Sequence, residues 1–274
     1  MAENLKQIHA WSTTKILIIL LLLGDLAFMI IHVFHKLTQY LANSISNIGM
    51  DSEYAVIYHY LDIDFLQKVT PYFANSLFNI EMDNGYAEAY QHLKFIGIIF
   101  VFFYLCIKQK IWSFFPWMLL FSYFLLDDSF QLHERLGSVI ASGIAFSPPF
   151  GLRRQDLGEL AVTMTAGLII LPSLMLAYYL GCAPIRKIYH NLLLLLSLLV
   201  FFGVGVDMVH AVFMNSPIFS PIFGVIEDGG EMLAVSMFAS YSFFLLKKFI
   251  NLKDAAVMHS TNVQQSIATA TANQ

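Results

Sequence analysis

Apolar residues form six runs along the chain, each long enough to cross a membrane as a helix. The runs cover residues 15–36, 86–107, 111–142, 157–180, 189–213 and 222–246. A spanning helix needs about 20 apolar residues, and in lipid only helices and closed barrels satisfy their own backbone groups. The pattern therefore predicts an all-α integral membrane bundle of about six transmembrane helices. We expect the third run to continue past the bilayer as one long helix, and Pro172 to kink the fourth.

Lysine and arginine residues show how the predicted bundle is oriented. Nine of the fifteen lie on the side that holds both ends of the chain: Lys6, Lys15, Lys108, Lys110, Arg186, Lys187, Lys247, Lys248 and Lys253. Because cytoplasmic loops are enriched in Lys and Arg, we predict that both termini are cytoplasmic. Residues 1–253 would form one transmembrane domain. Residues 254–274, rich in Ser, Thr, Ala, Asn and Gln, would form a disordered cytoplasmic tail.

The connection between the first two runs, residues 37–85, is much longer than an ordinary loop. Apolar residues recur in it at helical spacing, among them Tyr54, Ile57 and Tyr58. This spacing predicts an outer cap of one or two short amphipathic helices, broken near Pro71. Such a cap could cover hydrophobic helix ends or gate the entry of a substrate.

Composition agrees with a membrane location and narrows the partners. Hydrophobic residues make up 58% of the chain and charged residues 12%. The net charge is −4 and there is no basic run, which argues against nucleic acid as a partner. The two cysteines, Cys106 and Cys182, match no metal-binding spacing and give no disulfide framework.

Ionisable residues within the runs cluster at one depth. Toward the predicted outer ends lie Asp25, His32, His35, Glu88, His92, Asp127, Asp128, His133, Glu134, Asp156, Glu159, Asp207, His210, Glu227, Asp228 and Glu231. The inner halves of the runs carry almost none. Ionisable groups inside membrane segments usually face the protein interior or a water-filled cavity, and they mark function. Because all six runs agree on depth, we predict one outward-facing site.

Helical spacing, at about 100° per residue, orders these side chains into faces. On the third run, Asp127, Gln131 and Glu134 form one stripe, and His133 points away from it. Asp207 and His210 share a face of the fifth run. Glu227 and Glu231 likewise share a face of the sixth run.

Carboxylates beside imidazoles are the usual ligands of zinc, manganese and non-haem iron. We predict that the sixth-run pair Glu227 and Glu231 binds a divalent metal ion together with the fifth-run pair Asp207 and His210. The acid and base groups would be Asp127, Asp128 and Glu134. Arg135 and Arg153 would bind the substrate, although both could instead be structural partners of nearby acids. Possible additional site residues are Glu81, His133, His32, Asp25 and Glu159.

Three segments carry a resemblance to a known group of proteins. They are Phe78-Asn79-Ile80-Glu81-Met82-Asp83, Leu126-Asp127-Asp128 with His133-Glu134, and Glu227-Asp228 with Glu231. The chain resembles a family of bacterial multi-pass membrane proteins of unassigned function, with an L-D-[DE]-x4-H-E helix and a final helix carrying paired acids. The resemblance implies that the acids and the histidine of these segments belong to one site. It implies no activity.

Three functions fit this pattern. The leading hypothesis is a metal-dependent enzyme, such as a hydrolase, that acts on a lipid or lipid-linked substrate at the outer leaflet of the inner membrane. The first alternative is a transporter of protons or divalent cations, but the inner halves of the runs look too apolar to line a path. The second alternative is a non-enzymatic subunit or ligand sensor that binds a membrane-protein partner or another copy of itself.

Overall fold

The computed structural model describes the backbone of residues 2–47, 68, 72–73, 75–216 and 219–272. Its helices are α1 (Ala2–Asn47), α2 (Tyr86–Ile107), α3 (Phe115–Phe130), α4 (Leu132–Ser142), α5 (Arg154–Leu180), α6 (Ala183–Val200), α7 (Asp207–Phe213) and α8 (Phe219–Ala272). A π-helical segment, Phe201–Val206, joins α6 to α7. Short 3-10 turns lie at Ser76–Phe78, Trp112–Phe114 and Pro149–Gly151. These described residues include no strand, so the predicted all-α class is confirmed.

Five helical stretches are long and apolar enough to cross a membrane. They are Thr14–Gln39, Tyr86–Ile107, Arg154–Leu180, Ala183–Phe213 and Phe219–Asp254. The chain therefore has the character of a multi-pass membrane protein. The π-helical segment keeps α6 and α7 within one spanning stretch, as the fifth run predicted. Pro172 lies inside α5, which continues through it to Leu180.

The prediction that the third run, 111–142, forms one long helix is wrong. The chain breaks at Gln131 into α3, which has 16 residues, and α4, which has 11. Gln131 adopts a left-handed conformation with φ 50° and ψ 46°. The apolar run did not reveal this break, because no glycine or proline lies near Gln131 to mark it.

Helices at both ends of the chain run further than predicted. α1 begins at Ala2 and continues to Asn47, and α8 continues to Ala272 through most of the stretch that we predicted to be disordered. Neither extension contains a glycine or proline that would stop a helix. About half of the predicted outer cap, residues 48–67, 69–71 and 74, lies outside the described residues. The side of the membrane on which each terminus lies stays a prediction.

Aromatic rings fill the half of the bundle that lies away from the acidic residues. The ring centroids of Phe121 on α3 and Phe238 on α8 are 4.5 Å apart. Trp117 packs against Phe238 and against Tyr189 on α6, at 5.6 and 5.5 Å. The Tyr189 hydroxyl donates a hydrogen bond to the backbone carbonyl of Ser113. Because these rings are fully buried, they form an apolar core that holds α3, α6 and α8 together.

Candidate functional site

Acidic residues from several helices meet at one end of the bundle. We call it the polar end; it consists of the segment 79–85 before α2, the starts of α2, α5 and α8, the end of α3, and α4 and α7. Glu231 on α8 lies within electrostatic range of Asp128 on α3 and Asp207 on α7. It also lies within range of His133 on α4. Asp207 is in turn within range of Glu159 on α5. These residues, which the sequence pattern predicts to lie at one depth in the membrane, are thus also close to one another in space.

The break between α3 and α4 creates a histidine–carboxylate pair. The Nδ1 of His133 lies 3.1 Å from Oδ2 of Asp127, and the His133 backbone N–H donates to Asp127 Oδ1 at 2.9 Å. We predicted that His133 points away from Asp127, which is wrong, because the turn at Gln131 reverses its direction. A left-handed residue with a Cβ costs about 1–2 kcal/mol. The Gln131 amide, which donates to Asp83 Oδ2 at 2.6 Å, helps to hold this turn.

The contact between His133 and Asp127 determines the charge of His133 on α4. The hydrogen bond to Asp127 raises the pKa of His133 to about 9, although burial of the ring acts in the opposite direction. His133 is therefore a cation at neutral pH. Burial raises the pKa of the neighbouring Glu134, and the charge of Asp83 raises it further.

The raised pKa of His133 predicts a pH-dependent contribution to stability. The unfolded-state pKa is about 6.5, so the contribution is fully present below that pH and is lost as the pH rises through about 9. We expect wild type to have a higher melting temperature than His133→Gln at pH 6, and this difference to disappear by pH 10. Thermal unfolding in detergent across this range measures it. Asp127→Asn keeps an oxygen for the His133 N–H but removes the charge, so it should abolish most of the pH dependence. A difference from His133→Gln that stays constant from pH 6 to 10 would contradict the prediction.

His210 and Glu227 form a second histidine–carboxylate pair, between α7 and α8. Their Nδ1 and Oε2 atoms are 2.7 Å apart. The other ring nitrogen, Nε2, lies 3.2 Å from the hydroxyl oxygen of Ser220. When Glu227 is ionised, its carboxylate only accepts hydrogen bonds, and Nδ1 then carries the proton that faces it. In the neutral ring, Nε2 then accepts from the Ser220 hydroxyl.

Two glycines allow acidic side chains to lie directly against helix backbones. A Cβ on Gly203, in the π-helical segment, would lie 2.2 Å from Oε1 of Glu231. A Cβ on Gly224 of α8 would lie 2.3 Å from Oε1 of Glu81. A larger residue at either position would have to displace the carboxylate. The π-helical segment also positions Asp207, which follows it directly, and such segments recur at functional sites in other proteins.

Glu81, in the segment before α2, joins the polar end to α1. Its Oε2 accepts a hydrogen bond from Lys36 Nζ at 2.5 Å, and its Oε1 lies 3.7 Å from His32 Nε2. The Nδ1 of His32 accepts a hydrogen bond from the Ile80 backbone N–H at 3.2 Å. Glu81 is also within electrostatic range of Glu227. The segment is therefore held between α1 and α8.

Most of the predicted site residues lie together. The polar end contains Glu81, Asp127, Asp128, His133, Glu134, Glu159, Asp207, His210, Glu227 and Glu231. Asp228 belongs there as well, within range of Glu227 and Glu231. The nearby cations Lys36 and Arg153 are paired with Glu81 and Asp156 rather than with the acids of α7 and α8. They therefore leave the carboxylates of α7 and α8 in excess.

The four residues predicted as metal ligands are neighbours, but they do not form a ready coordination shell. Asp207 lies within hydrogen-bonding reach of Glu227, and Glu231 lies within electrostatic range of both. Across the side chains that the structure describes, no three His, Cys, Asp or Glu residues are arranged to hold a metal ion. Binding a cation here would require some of these side chains, such as His210, to rotate.

The two predicted substrate-binding arginines differ in their surroundings. The Arg153 guanidinium donates to Asp156 Oδ1 at 2.6 and 2.9 Å, and its backbone N–H donates to Oδ2 at 2.7 Å. This pair caps the first turn of α5, as the structural interpretation predicted. The Arg153 side chain is still 56% exposed, so it can also reach a ligand. Arg135 is exposed on α4 and forms no ion pair within the described part of the chain.

The sequence pattern did not lead us to Lys94, although it is the clearest buried charge in the bundle. Its Nζ lies 2.9 Å from Oδ1 of Asp25, and both residues are buried. Lys94 also donates to the Met232 carbonyl at 3.0 Å and to the Ser236 hydroxyl at 3.2 Å. Asp25, predicted as an additional site residue, is therefore held by α2 and α8 in an ion pair. A lysine inside the apolar run 86–107 was itself a signal of a buried partner.

Comparison with known proteins identifies a family match for the central part of the chain. A family model described as a domain of unknown function (DUF8692) matches residues 96–245, which is more than half of the chain. The match agrees with the resemblance to an uncharacterised family, while the sequence motif and the bacterial origin remain predictions. No curated protein and no solved structure matches the chain.

Proposed function

Since the chain belongs to this family of unknown function, we propose from its geometry that it is a membrane enzyme acting on a lipid or lipid-linked substrate at the polar end. The observation that carries the proposal is the convergence of two histidine–carboxylate pairs, His133–Asp127 and His210–Glu227. A histidine oriented by a carboxylate is a common general base or acid in enzymes. Structural ion pairs alone do not account for the excess of partly accessible carboxylates beside these pairs.

Each group at the polar end has a role in this proposal. Asp127, Asp128 and Glu134 exchange protons with the substrate, together with His133, which contacts Asp127. Arg135 and the exposed face of Arg153 bind an anionic head group, since guanidinium matches phosphate geometry. We further propose that the polar end faces outward from an inner membrane and that both chain termini are cytoplasmic.

Exposed apolar side chains around the polar end support a lipid substrate. Phe130, Leu136, Phe146 and Phe219 are all exposed there. In a bilayer, such side chains contact acyl chains close to the level of the head groups. A lipid head group could therefore reach the acids while its acyl chains remain in the membrane.

The predicted divalent cation remains part of the proposal. The excess carboxylates of α7 and α8 favour a cation, which would activate a water molecule or hold a phosphate. Asp207, His210, Glu227 and Glu231 are the residues that would hold it.

The apolar core favours an enzyme over a transporter. A path for protons or cations would have to cross the half of the bundle that Phe121, Trp117 and Phe238 fill. The buried Lys94–Asp25 pair lies between this core and the acids of the polar end.

Turnover of defined lipids tests the proposed function. We expect the protein, reconstituted in phosphatidylethanolamine and phosphatidylglycerol liposomes, to convert one of these lipids, as measured by mass spectrometry. Asp207→Asn, which removes a proposed cation ligand, should lower the rate at least about 100-fold, since changing even an outer-shell partner of a bound metal costs up to about that much activity. The matched control, Asp254→Asn on the exposed far part of α8, should keep the wild-type rate.

Loss of turnover with a chelator, and recovery with zinc or manganese, would support the cation. Absence of turnover in folded wild type, or full turnover by Asp207→Asn, would contradict the enzyme proposal and favour a subunit or sensor.

A further inference from the structure

Ser220, His210 and Glu227 lie in the order required for nucleophilic catalysis. The Ser220 hydroxyl oxygen is 3.2 Å from His210 Nε2, and His210 Nδ1 is 2.7 Å from Glu227 Oε2. In serine hydrolases, the serine contacts one ring nitrogen and the carboxylate contacts the other, and the arrangement recurs on unrelated folds. The three residues come from α7 and from two successive parts of α8.

The start of α8 holds Ser220 in place. The Ser220 backbone N–H donates to the carbonyl oxygen of Ser216 at 3.1 Å. The Ser216 hydroxyl accepts a hydrogen bond from the Phe219 N–H at 3.2 Å. These bonds fix the first turn of the helix, and Ser220 remains partly accessible. A nucleophile needs both a fixed position and access for its substrate.

We infer that Ser220 is a catalytic nucleophile that attacks a carboxylic ester of a membrane lipid, with His210 as general base and Glu227 as its orienting group. This inference rests on the proposed function and gives that site a substrate class and a covalent step. It uses His210 and Glu227 for proton transfer, so that a cation at the polar end would be held by Asp207 and Glu231 without them. Its support is that His210 contacts Ser220 through Nε2 and Glu227 through Nδ1, and that the Ser220 side chain is partly accessible.

The reaction balances with these residues and water. The Ser220 oxygen bonds to the ester carbonyl carbon while its proton passes to Nε2 of His210. The bond from that carbon to the alcohol oxygen then breaks, and His210 returns the proton to the leaving alcohol. Water, deprotonated by His210, attacks the resulting acyl-serine and releases a fatty acid, while Ser220 regains its proton. Glu227 stabilises the imidazolium that forms in each half-reaction.

Apolar side chains next to Ser220 favour an ester that carries an acyl chain. Phe213, Phe219 and Ile222 are exposed around it. The hydroxyl therefore lies at the boundary between the acidic cluster and the lipid-facing surface. An ester bond in a phospholipid or acylglycerol lies at the same boundary, between a polar group and an acyl chain.

A fluorophosphonate probe tests this inference on the full-length protein in detergent. Such a probe reacts with activated serines, and peptide mass spectrometry identifies the labelled residue. We expect labelling at Ser220 that is abolished by Ser220→Ala. His210→Gln should slow labelling at least about 100-fold, and Glu227→Gln should slow it as well. Ser138→Ala, which removes an exposed hydroxyl of α4 at the same end of the bundle, is the matched control and should label at the wild-type rate.

A purely structural hydrogen bond between Ser220 and His210 predicts a different result. Folded wild-type protein would then show no labelling, or the same rate in His210→Gln, and either result would overturn the inference. Lipid turnover separates this outcome from failure of the proposed function. Turnover that persists in Ser220→Ala would overturn the nucleophile but leave the membrane enzyme intact. Labelling of Ser220 without lipid turnover would support the nucleophile and contradict the lipid substrate.

Discussion

Replacing Asp25 with alanine is expected to lower the free energy of unfolding by about 3–5 kcal/mol, the usual cost of leaving a buried charge without its partner. Lys94 lies 2.9 Å from Asp25 inside the bundle, between α1, α2 and α8. Its ammonium group is also 4.7 Å from the centre of the Tyr90 ring. The Tyr90 ring, the Met232 carbonyl and the Ser236 hydroxyl would remain beside Lys94 in the variant. As neutral groups, they could not replace the lost negative charge.

A double variant separates the ion pair from simple loss of packing. Removing both charges, as in Asp25→Leu combined with Lys94→Met, should restore most of the stability, because well-packed apolar residues often replace a buried ion pair at little cost. Lys94→Met alone should destabilise, since it leaves Asp25 unpaired. Chemical unfolding in detergent measures all three variants against wild type. If Asp25→Ala were as stable as wild type, or if the double variant were the least stable, the pair would not have this role.

Replacing Gly158 with alanine is expected to force α4 away from α5 and to destabilise the protein by about 1–3 kcal/mol, the usual cost of overpacking. A Cβ on Gly158 would lie 2.1 Å from the carbonyl oxygen of Gly137. A Cβ on Gly137 would meet the Glu159 backbone nitrogen at 2.8 Å. The two backbones are therefore in contact, and no side chain can move aside to make room.

The matched control for Gly158 lies on the same helix. A Cβ on Gly167 would approach no atom closer than 4.0 Å, so Gly167→Ala should keep or slightly raise stability through helix propensity. Melting temperatures in detergent compare the two variants. The pH dependence of stability that His133 contributes is a second readout, because His133 lies on α4 and would move with it. If Gly158→Ala were as stable as Gly167→Ala, the close contact of α4 and α5 would be refuted.

The apolar runs were sufficient to predict most of the spanning helices. Helices that cross lipid must be predominantly apolar, so the runs 86–107 and 157–180 correspond closely to α2 and α5. Helix ends were harder to predict. α8 runs on to Ala272 with no glycine or proline after Gly230, although the polar composition of its last part suggested disorder instead.

The candidate site could be predicted as a set of residues but not as a set of contacts. Ionisable residues are rare in membrane segments and share one depth, so Asp128, Asp207 and Glu231 were identifiable from sequence. Ser220 was not identifiable, because serine is common near helix starts and only its distance from His210 distinguishes it.

The sequence by itself determined that the protein is a helical membrane protein with acids concentrated at one end, because hydrophobicity and charge are properties of each residue in turn. Only the tertiary structure decided which of these side chains meet. The left-handed turn at Gln131 brings His133 to Asp127, and the packing of α1 and α2 against α8 brings Lys94 to Asp25. Such pairings depend on backbone direction and on residues far apart in the chain, and no local pattern specifies them.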